Sequence, residues 1–550
     1  MDNFRIEMKR SEINIKQTER NHEMTHPYSS SGRMRGMHKP HGKVAVGLAV
    51  TLAIALSSSV AIASGSNSKP SAKTTNEKTT KYIMGPKNFY SVTSTAQVTT
   101  SEAKANNQKI ANAVVTRTVL STSTDASTKV ITSSISEKSV TKKVNKTITV
   151  TKKIVEVKTP LPAKKATGAP ISIGWITDAS SITKSTYYPE YEGAKIFFQA
   201  LNDHGGINGR PVEILVEDMK IDQQLAVTAA NKLLNEKNVI MLAGGTLEAR
   251  LPAVFNVVRT AGAPFLTGHS ARPDMFPSNP DPLLFTVGNV FEAMSDARVQ
   301  LWPQLFGKDF PNGGTSACYI HEAPAAVAVC NRWLEQLEKA SPQWKAGVIA
   351  KAPLSTSDFT SFIRPIVNSN PTVFFDISIA SHAIGVAVAA RNLGYRGPIT
   401  FSMTATPETD IRIVANQVGG DKLYAVSNIT SIYEHSVPEV KQVVAAAQKY
   451  GVTIPASSAT MNGWLMGMTI ADSLNRCGTT CDRAKLRNSL EKLNLDATGI
   501  TGGILAYSPT DHVGKRYWTG YKWDNTKDLL VRAIPGWIVF GSEDLLVPIK

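Results

Sequence analysis

The stretch from Tyr191 to Asp218, YEGAKIFFQALNDHGGINGRPVEILVED, most constrains what this chain can fold into. Tyr191, Ala194, Phe197, Phe198 and Leu201 recur at steps of three and four, which puts them on one face of a helix. Gly205 and Gly206 end that helix, because glycine takes the left-handed C-cap conformation at no steric cost. Gly209-Arg210 makes a second tight turn. Val212, Ile214 and Val216 then alternate with Glu213, Leu215 and Glu217 as in a strand. Upstream, the apolar run from Pro170 to Ile176 reads as a buried strand, followed by a polar loop over Thr177–Thr186. Strand, loop, helix, turn and strand form a right-handed βαβ unit.

The same grammar continues downstream. Helices are expected over 223–234 and 251–260, with short strands over 239–242 and 265–267. A second set has strands over 317–320, 347–350, 373–377 and 399–403, separated by helices over 327–339, 359–368 and 383–393. Long helices follow over 439–450 and 461–475, and strand-like runs fill 504–549. Repeated strand-helix alternation implies an α/β fold of two doubly wound, Rossmann-like lobes.

Charge separates this body from what precedes it. The net charge of +16 is concentrated before residue 169. Residues 1–43 hold nine Lys/Arg against five Asp/Glu, and residues 65–168 hold eighteen against five. The remainder is close to neutral. A basic tail on a neutral body suits attraction to an anionic membrane or wall polymer. It does not suit nucleic acid, since too few aromatic residues stand among the lysines to serve as stacking platforms. Residues 1–43 read as a disordered basic N-terminus, and Met34 or Met37 could serve as the start. Residues 44–63 carry no charge and end in Ala61-Ile62-Ala63, an A-x-A cleavage pattern. They read as a secretory signal peptide or a membrane anchor. Residues 64–168, rich in Ser, Thr, Lys and Val, read as an extended linker that buries too little apolar surface to fold. Alternation over Thr147–Thr159 would allow one stray strand there. A compact body is thus expected from Ala169 onward.

The runs ISIGWITDAS and EYEGAKIFFQALNDHGGINGRPVEILVEDMKIDQQLAVTAANKLL resemble the opening of the type I periplasmic binding protein family. Within it they are similar to the group typified by the leucine/isoleucine/valine-binding protein of ABC transporters. The resemblance covers Ala169 to Lys550. It implies two lobes joined by a hinge that the chain crosses three times: 169–290 with 427–501, and 291–426 with 502–550. It also implies an exported solute-binding protein that captures an amino acid or similar amphipathic molecule and delivers it to an ABC permease. A sensor of the same fold, or a wall-attached binding protein, is the alternative.

In open α/β sheets a ligand sits beyond the carboxyl ends of the strands. Here those ends are rich in Ser, Thr, Gly and His, which suit a carboxylate, though about half of the hydroxyls here read equally well as helix N-caps. Ser181 and Tyr187 follow the first strand, His321 ends another, and Ser378, Ser381 and Thr404 follow two more. In relatives, a run similar to His269-Ser270-Ala271-Arg272-Pro273 holds the amino-acid head group, so His269, Ser270 and Ala271 map to it, with Thr246 and Leu247 as an earlier contact. The second lobe departs from that pattern. The tyrosines expected near Ala326 and Ile379 are absent, and the ammonium-holding acid falls in the Ser402–Thr404 region. That departure suggests a larger or less charged ligand.

Four cysteines behind an export signal favour disulfides, and three pairings are possible. Proximity in sequence favours Cys318–Cys330 and Cys477–Cys481. Spacings of twelve and four without accompanying histidines argue against zinc. Catalytic motifs are wanting. His321-Glu322 lacks the second histidine of HExxH, Ala243-Gly244-Gly245-Thr246 is a weak phosphate loop, and neighbouring His269 and Ser270 have no partnered acid. No enzyme activity, cofactor or metal is expected.

Overall fold

The computed structural model describes residues 73–84, 89–104, 118–123, 128–137, 140–141, 144–245, 251–268, 280–288, 291–322, 324–514, 516–539 and 546–548. All belong to one compact unit, Ala63–Lys550.

The first surprise lies before residue 169. Strands β1 (Lys73–Met84), β2 (Phe89–Lys104), β3 (Thr118–Ser123), β4 (Thr128–Glu137), β5 (Val140–Thr141) and β6 (Val144–Pro160) form antiparallel pairs where a linker was expected. Strand β2 pairs with β6 from Tyr90↔Pro160 to Lys104↔Lys146. Thr and Val are β-branched and favour a pleated surface, so the composition read as a solvated spacer also suits a ribbon. Its apolar deficit is met by borrowing. Tyr82 and Phe89 are buried, and their rings pack 5.8 and 6.1 Å from that of Phe197 on the leading helix.

The first lobe follows as β7 (Ile171–Thr177), α1 (Lys184–Asp203), β8 (Val212–Asp218), α2 (Gln223–Asn231), β9 (Leu242–Gly244), α3 (Leu251–Ala261), β10 (Phe265–Thr267) and β11 (Leu284–Thr286). Its strands are all parallel, in the order β11-β10-β9-β7-β8. Helix α1 starts earlier than its apolar period suggests, at Lys184, and takes in part of the expected loop. It ends as expected, with Gly205 and Gly206 both at positive φ.

The chain then enters the second lobe with α4 (Phe291–Phe306), β12 (Gly314–His321), α5 (Pro324–Ala340), β13 (Trp344–Ala352), α6 (Thr360–Ser369), β14 (Val373–Asp376), α7 (Ala380–Asn392), β15 (Ile399–Ser402), α8 (Glu408–Val418) and β16 (Leu423–Ser427). These strands are parallel, in the order β13-β12-β14-β15-β16. Both lobes therefore repeat one order, in which the first strand lies between the second and the third.

The chain returns with α9 (Pro438–Tyr450), α10 (Ser458–Cys477), α11 (Arg483–Leu490), β17 (Asn494–Asp496), α12 (Thr498–Thr501) and β18 (Ile504–Ala506). It ends with β19 (Tyr517–Asp524), β20 (Leu529–Arg532), β21 (Gly536–Val539) and β22 (Leu546–Pro548), and β19 pairs antiparallel with β16. Three stretches thus pass between the sheets. The second and third are tied together: Thr430 N donates to Ile500 O at 2.7 Å and Thr501 Oγ1 to Asn428 O at 3.0 Å.

Helix α10 lies against α1 at close range. A Cβ on Gly193 would strike the Thr460 carbonyl, and one on Gly463 the Glu190 carbonyl. The Phe197 and Trp464 rings meet edge to face at 5.0 Å. The β-ribbon docks on the same lobe. Thr80 pairs with Leu495 of β17, Lys81 Nζ stands 2.6 Å from Glu439, and Asn475 Nδ2 donates to the Tyr82 hydroxyl at 2.9 Å. Both disulfides form the pairs favoured by proximity, with Cα separations of 5.9 Å for Cys318–Cys330 and 5.1 Å for Cys477–Cys481. No described helix is long and apolar enough to cross a membrane, and residues 44–63 lie outside the described residues.

Because the ribbon shares the core of the first lobe, deleting everything before Ala169 is expected to lower the melting temperature. Phe89→Ala in the full chain should cost roughly 3–5 kcal/mol, the usual loss for a buried phenylalanine. Thermal melts check both, and an unchanged melting temperature in the deletion would return the ribbon to the status of a tether.

Candidate functional site

Where strand order reverses, the loops leaving neighbouring strands part in opposite directions and open a crevice. In the first lobe that point lies between β7 and β9, and in the second between β12 and β14. It is marked by Thr177 and Asp178 in one and by His321, Asp376 and Ser378 in the other.

The first wall satisfies most of its own polar groups. Buried Asp178 accepts from Thr183 Oγ1 and from Ile221 N, each at 2.8 Å. The Ser181 hydroxyl lies 2.8 Å from that of Thr183. Ser181 is thus engaged within its own turn. At the exit of β10, Asn462 Nδ2 donates to the Gly268 carbonyl at 2.6 Å and also to Glu190, which fixes the point where the chain leaves for His269.

The second wall behaves similarly. Ser378 donates to Asp376 Oδ1 from its backbone N at 2.8 Å and from its hydroxyl at 2.5 Å. Thr406 Oγ1 donates to the Ser378 carbonyl at 3.1 Å, and the Ser402 and Thr404 hydroxyls are 2.8 Å apart. Ser381 is exposed on α7. Burial pushes the Asp376 carboxyl up to about 7 against the pull of its Ser378 hydrogen bonds. Burial, with His382 nearby, pushes His321 down to about 4, so its imidazole is neutral at physiological pH.

Among the described residues, Thr177 Oγ1, Thr267 Oγ1, His321 Nδ1 and Asp376 Oδ2, each on the last residue of its strand, are buried without a hydrogen-bond partner. A buried polar atom left unpaired costs about 1–3 kcal/mol, so such atoms at a crevice are capacity for a ligand.

The walls meet at one corner. Tyr187 of α1 and Ile379, just before α7, are buried together, with Ile221 from the first lobe and Leu354 from the second packed on them. Beside them Thr186 Oγ1 donates to the Ala405 carbonyl at 3.0 Å. Nearer the crossings, Glu408 of α8 accepts from Ile432 N at 2.7 Å and from Ser458 N, the first residue of α10, at 2.9 Å.

Of the residues singled out in the sequence, Tyr187, Ser378 and Thr404 thus stand where the lobes face each other. His321 ends its strand as expected. Thr246, Leu247, His269, Ser270 and Ala271 lie outside the described residues. Sequence reasoning missed Thr186, Leu354 and Ile379, whose signal was only their place just after or beside a strand end. It also missed Thr177, which read as the first residue of a loop, and Thr267, which read as a strand residue. Among the described residues no group of three or more His, Cys, Asp or Glu side chains could hold a metal ion.

Two lobes of identical strand order, three crossings and facing switch points define a hinged binding protein. A family model for periplasmic binding proteins matches residues 170–528, and the chain belongs to that family. Its general role is to bind a solute. Among curated proteins none matches. Solved structures share the fold at low identity. A fatty acid ABC transporter substrate-binding protein from Thermomonospora curvata is 16% identical, with a TM-score of 0.57 over 71% of this chain and 98% of its own. A solute-binding protein from R. palustris in complex with 4-hydroxybenzoate is 16% identical, with a TM-score of 0.57 over 66% and 95%. The branched-chain amino acid binding protein LivJ from Streptococcus pneumoniae, in complex with isoleucine, is 16% identical, with a TM-score of 0.55 over 66% and 97%.

The Asp376 shift gives a test of the wall. A carboxyl raised from 3.8 to about 7 is neutral in the folded protein below about pH 7. Its contribution to stability is therefore full below pH 3.8 and is lost as pH rises through 7. Asp376→Asn keeps the acceptor for Ser378 and cannot ionise. Relative to wild type it should gain about 3 kcal/mol between pH 5 and pH 8, measured by denaturant melts. An equal difference at both pH values would mean that Asp376 is ionised throughout.

Proposed function

We propose that the protein captures a small carboxylic acid that has an apolar body and no α-ammonium group, and passes it to an ABC permease outside the cytoplasmic membrane. The observation that carries this reading is the state of the second wall. Its one buried carboxyl at the switch point, Asp376, is held close to neutral by burial and already accepts twice from Ser378. A neutral carboxyl is a poor partner for an ammonium group. Three residues past it in the chain, Ile379 packs with Leu354 and Tyr187 at the inter-lobe corner, and these side chains suit an aromatic or aliphatic body. The ligand carboxylate is assigned to His269, Ser270 and Ala271, with Thr246 and Leu247 beside it, by their resemblance to the head-group run of relatives. The relatives bound to 4-hydroxybenzoate and named for fatty acid support the ligand class.

Export is part of the proposal, with residues 44–63 as signal peptide or anchor. The surplus of lysine over 65–168 would hold the ribbon against an anionic membrane or wall polymer. Sedimentation of the full chain with anionic vesicles should then weaken as salt is raised.

Calorimetric titration with 4-hydroxybenzoate, a medium-chain fatty acid and isoleucine tests the ligand. Binding of either acid, and none of isoleucine, is the expected outcome, and tight binding of isoleucine alone would overturn it. With the acid that binds, Ser270→Ala should weaken affinity by about 5- to 150-fold, the loss of one buried hydrogen-bond partner. Unchanged affinity would remove the head-group assignment.

A further inference from the structure

His382 lies in the first turn of α7 and is 1% exposed. Its Nε2 is 3.1 Å from the Leu354 carbonyl and its Nδ1 is 3.1 Å from the Tyr319 hydroxyl. A carbonyl can only accept, so Nε2 carries the proton, and a neutral ring then accepts the Tyr319 O–H at Nδ1. Burial holds the imidazole below its ordinary value, which keeps this arrangement intact at physiological pH. The ring also meets Phe359 edge to face, with centroids 4.8 Å apart at 67°. Both partners are therefore fixed: Tyr319 by its place in β12, and the ring by α7 and Phe359.

The Leu354 turn is closed by one backbone hydrogen bond, Thr356 N donating to Pro353 O at 3.0 Å. Leu354 follows β13 in this turn, and its side chain packs on Tyr187 and Ile379 where the lobes meet. We infer that His382 is a positioning residue for lobe closure: through the Leu354 carbonyl it fixes the turn that receives Tyr187 from the opposite lobe. The inference rests on the two-lobe capture proposed above. It gives the buried hydrogen-bond chain Tyr319–His382–Leu354 a task that no contact with ligand explains.

The experiment reads the lobes directly and needs no ligand. Spin labels are placed on Leu225→Cys in α2 and Ile413→Cys in α8, both exposed, one on each lobe. The four native cysteines are paired and do not compete. Distances are measured by pulsed electron resonance in the full chain. Wild type should show a short-distance population. His382→Phe, which fills the space but drops both hydrogen bonds, should move that population to longer distances, and Leu354→Ala should do the same. His382→Gln, with an amide N–H near the place of Nε2, should restore it. Leu337→Ala, a truncation in the core on the other face of the same sheet, should leave it in place. Circular dichroism confirms that each variant is folded. A folded His382→Phe with the wild-type distribution would overturn the inference. So would an equal shift in Leu337→Ala, which would mark mere destabilisation. A wild type without the short population would overturn it too, while leaving solute binding to the titrations.

Discussion

The contact between α1 and α10 is the constraint on which the rest depends. Helix α10 arrives only after the chain has built most of the second lobe, and it must come back to lie on α1. Gly193 and Gly463 let the two backbones approach where any side chain would collide with a carbonyl. That return makes the second crossing, and the third follows because β19 must reach β16. The hinge is thus a consequence of packing in the first lobe. The same contact presents Phe197 to the ribbon, whose Tyr82 and Phe89 complete the aromatic cluster with Trp464.

A crevice between lobes has to stay wet when open and dry when closed. Polar groups that bond to each other tolerate both states, because nothing is stranded on closure. Asp178 with Thr183, Asp376 with Ser378, and Ser402 with Thr404 are of this kind. The atoms left over, Thr177 Oγ1, Thr267 Oγ1, His321 Nδ1 and Asp376 Oδ2, are few and sit at strand ends in both lobes. Few polar anchors on an otherwise self-satisfied surface select orientation, while apolar contact supplies affinity.

The two lobes were legible in the sequence because their signals are local. The apolar stripe through Phe197, the Gly205-Gly206 stop and the alternation over 212–216 each lie within a dozen residues and each has one physical reading. The ribbon was not legible. Thr- and Val-rich strands look alike whether solvated or paired, and the burial that decides between them comes from Phe197, more than a hundred residues after Tyr82. The site was half legible. Strand ends could be read, so the places of Tyr187, His321, Ser378 and Thr404 near strand ends were anticipated. Which of them touches the other lobe depends on how the lobes face, and that information lies in crossings far along the chain. Leu354 was marked only by its place after a strand, and His382 carried no local mark at all.

The inter-lobe corner is also small enough to be reversible. Burying one aliphatic or aromatic side chain is worth about 1.5–3 kcal/mol, and here Tyr187 and Ile379 are fully buried while Ile221 and Leu354 are partly so. The Thr186–Ala405 hydrogen bond adds about 1 kcal/mol. Against this stands the desolvation of both walls. Net closure of a few kcal/mol at most leaves open and closed states both accessible. A solute that touches both walls then needs only modest differential affinity to hold the lobes together, since about 5.5 kcal/mol carries an equilibrium from one extreme to the other. A larger apolar corner would close without ligand, and a more polar one would pay desolvation with no return. The size of the Tyr187–Ile379 contact therefore suits reversible binding of a solute between the lobes.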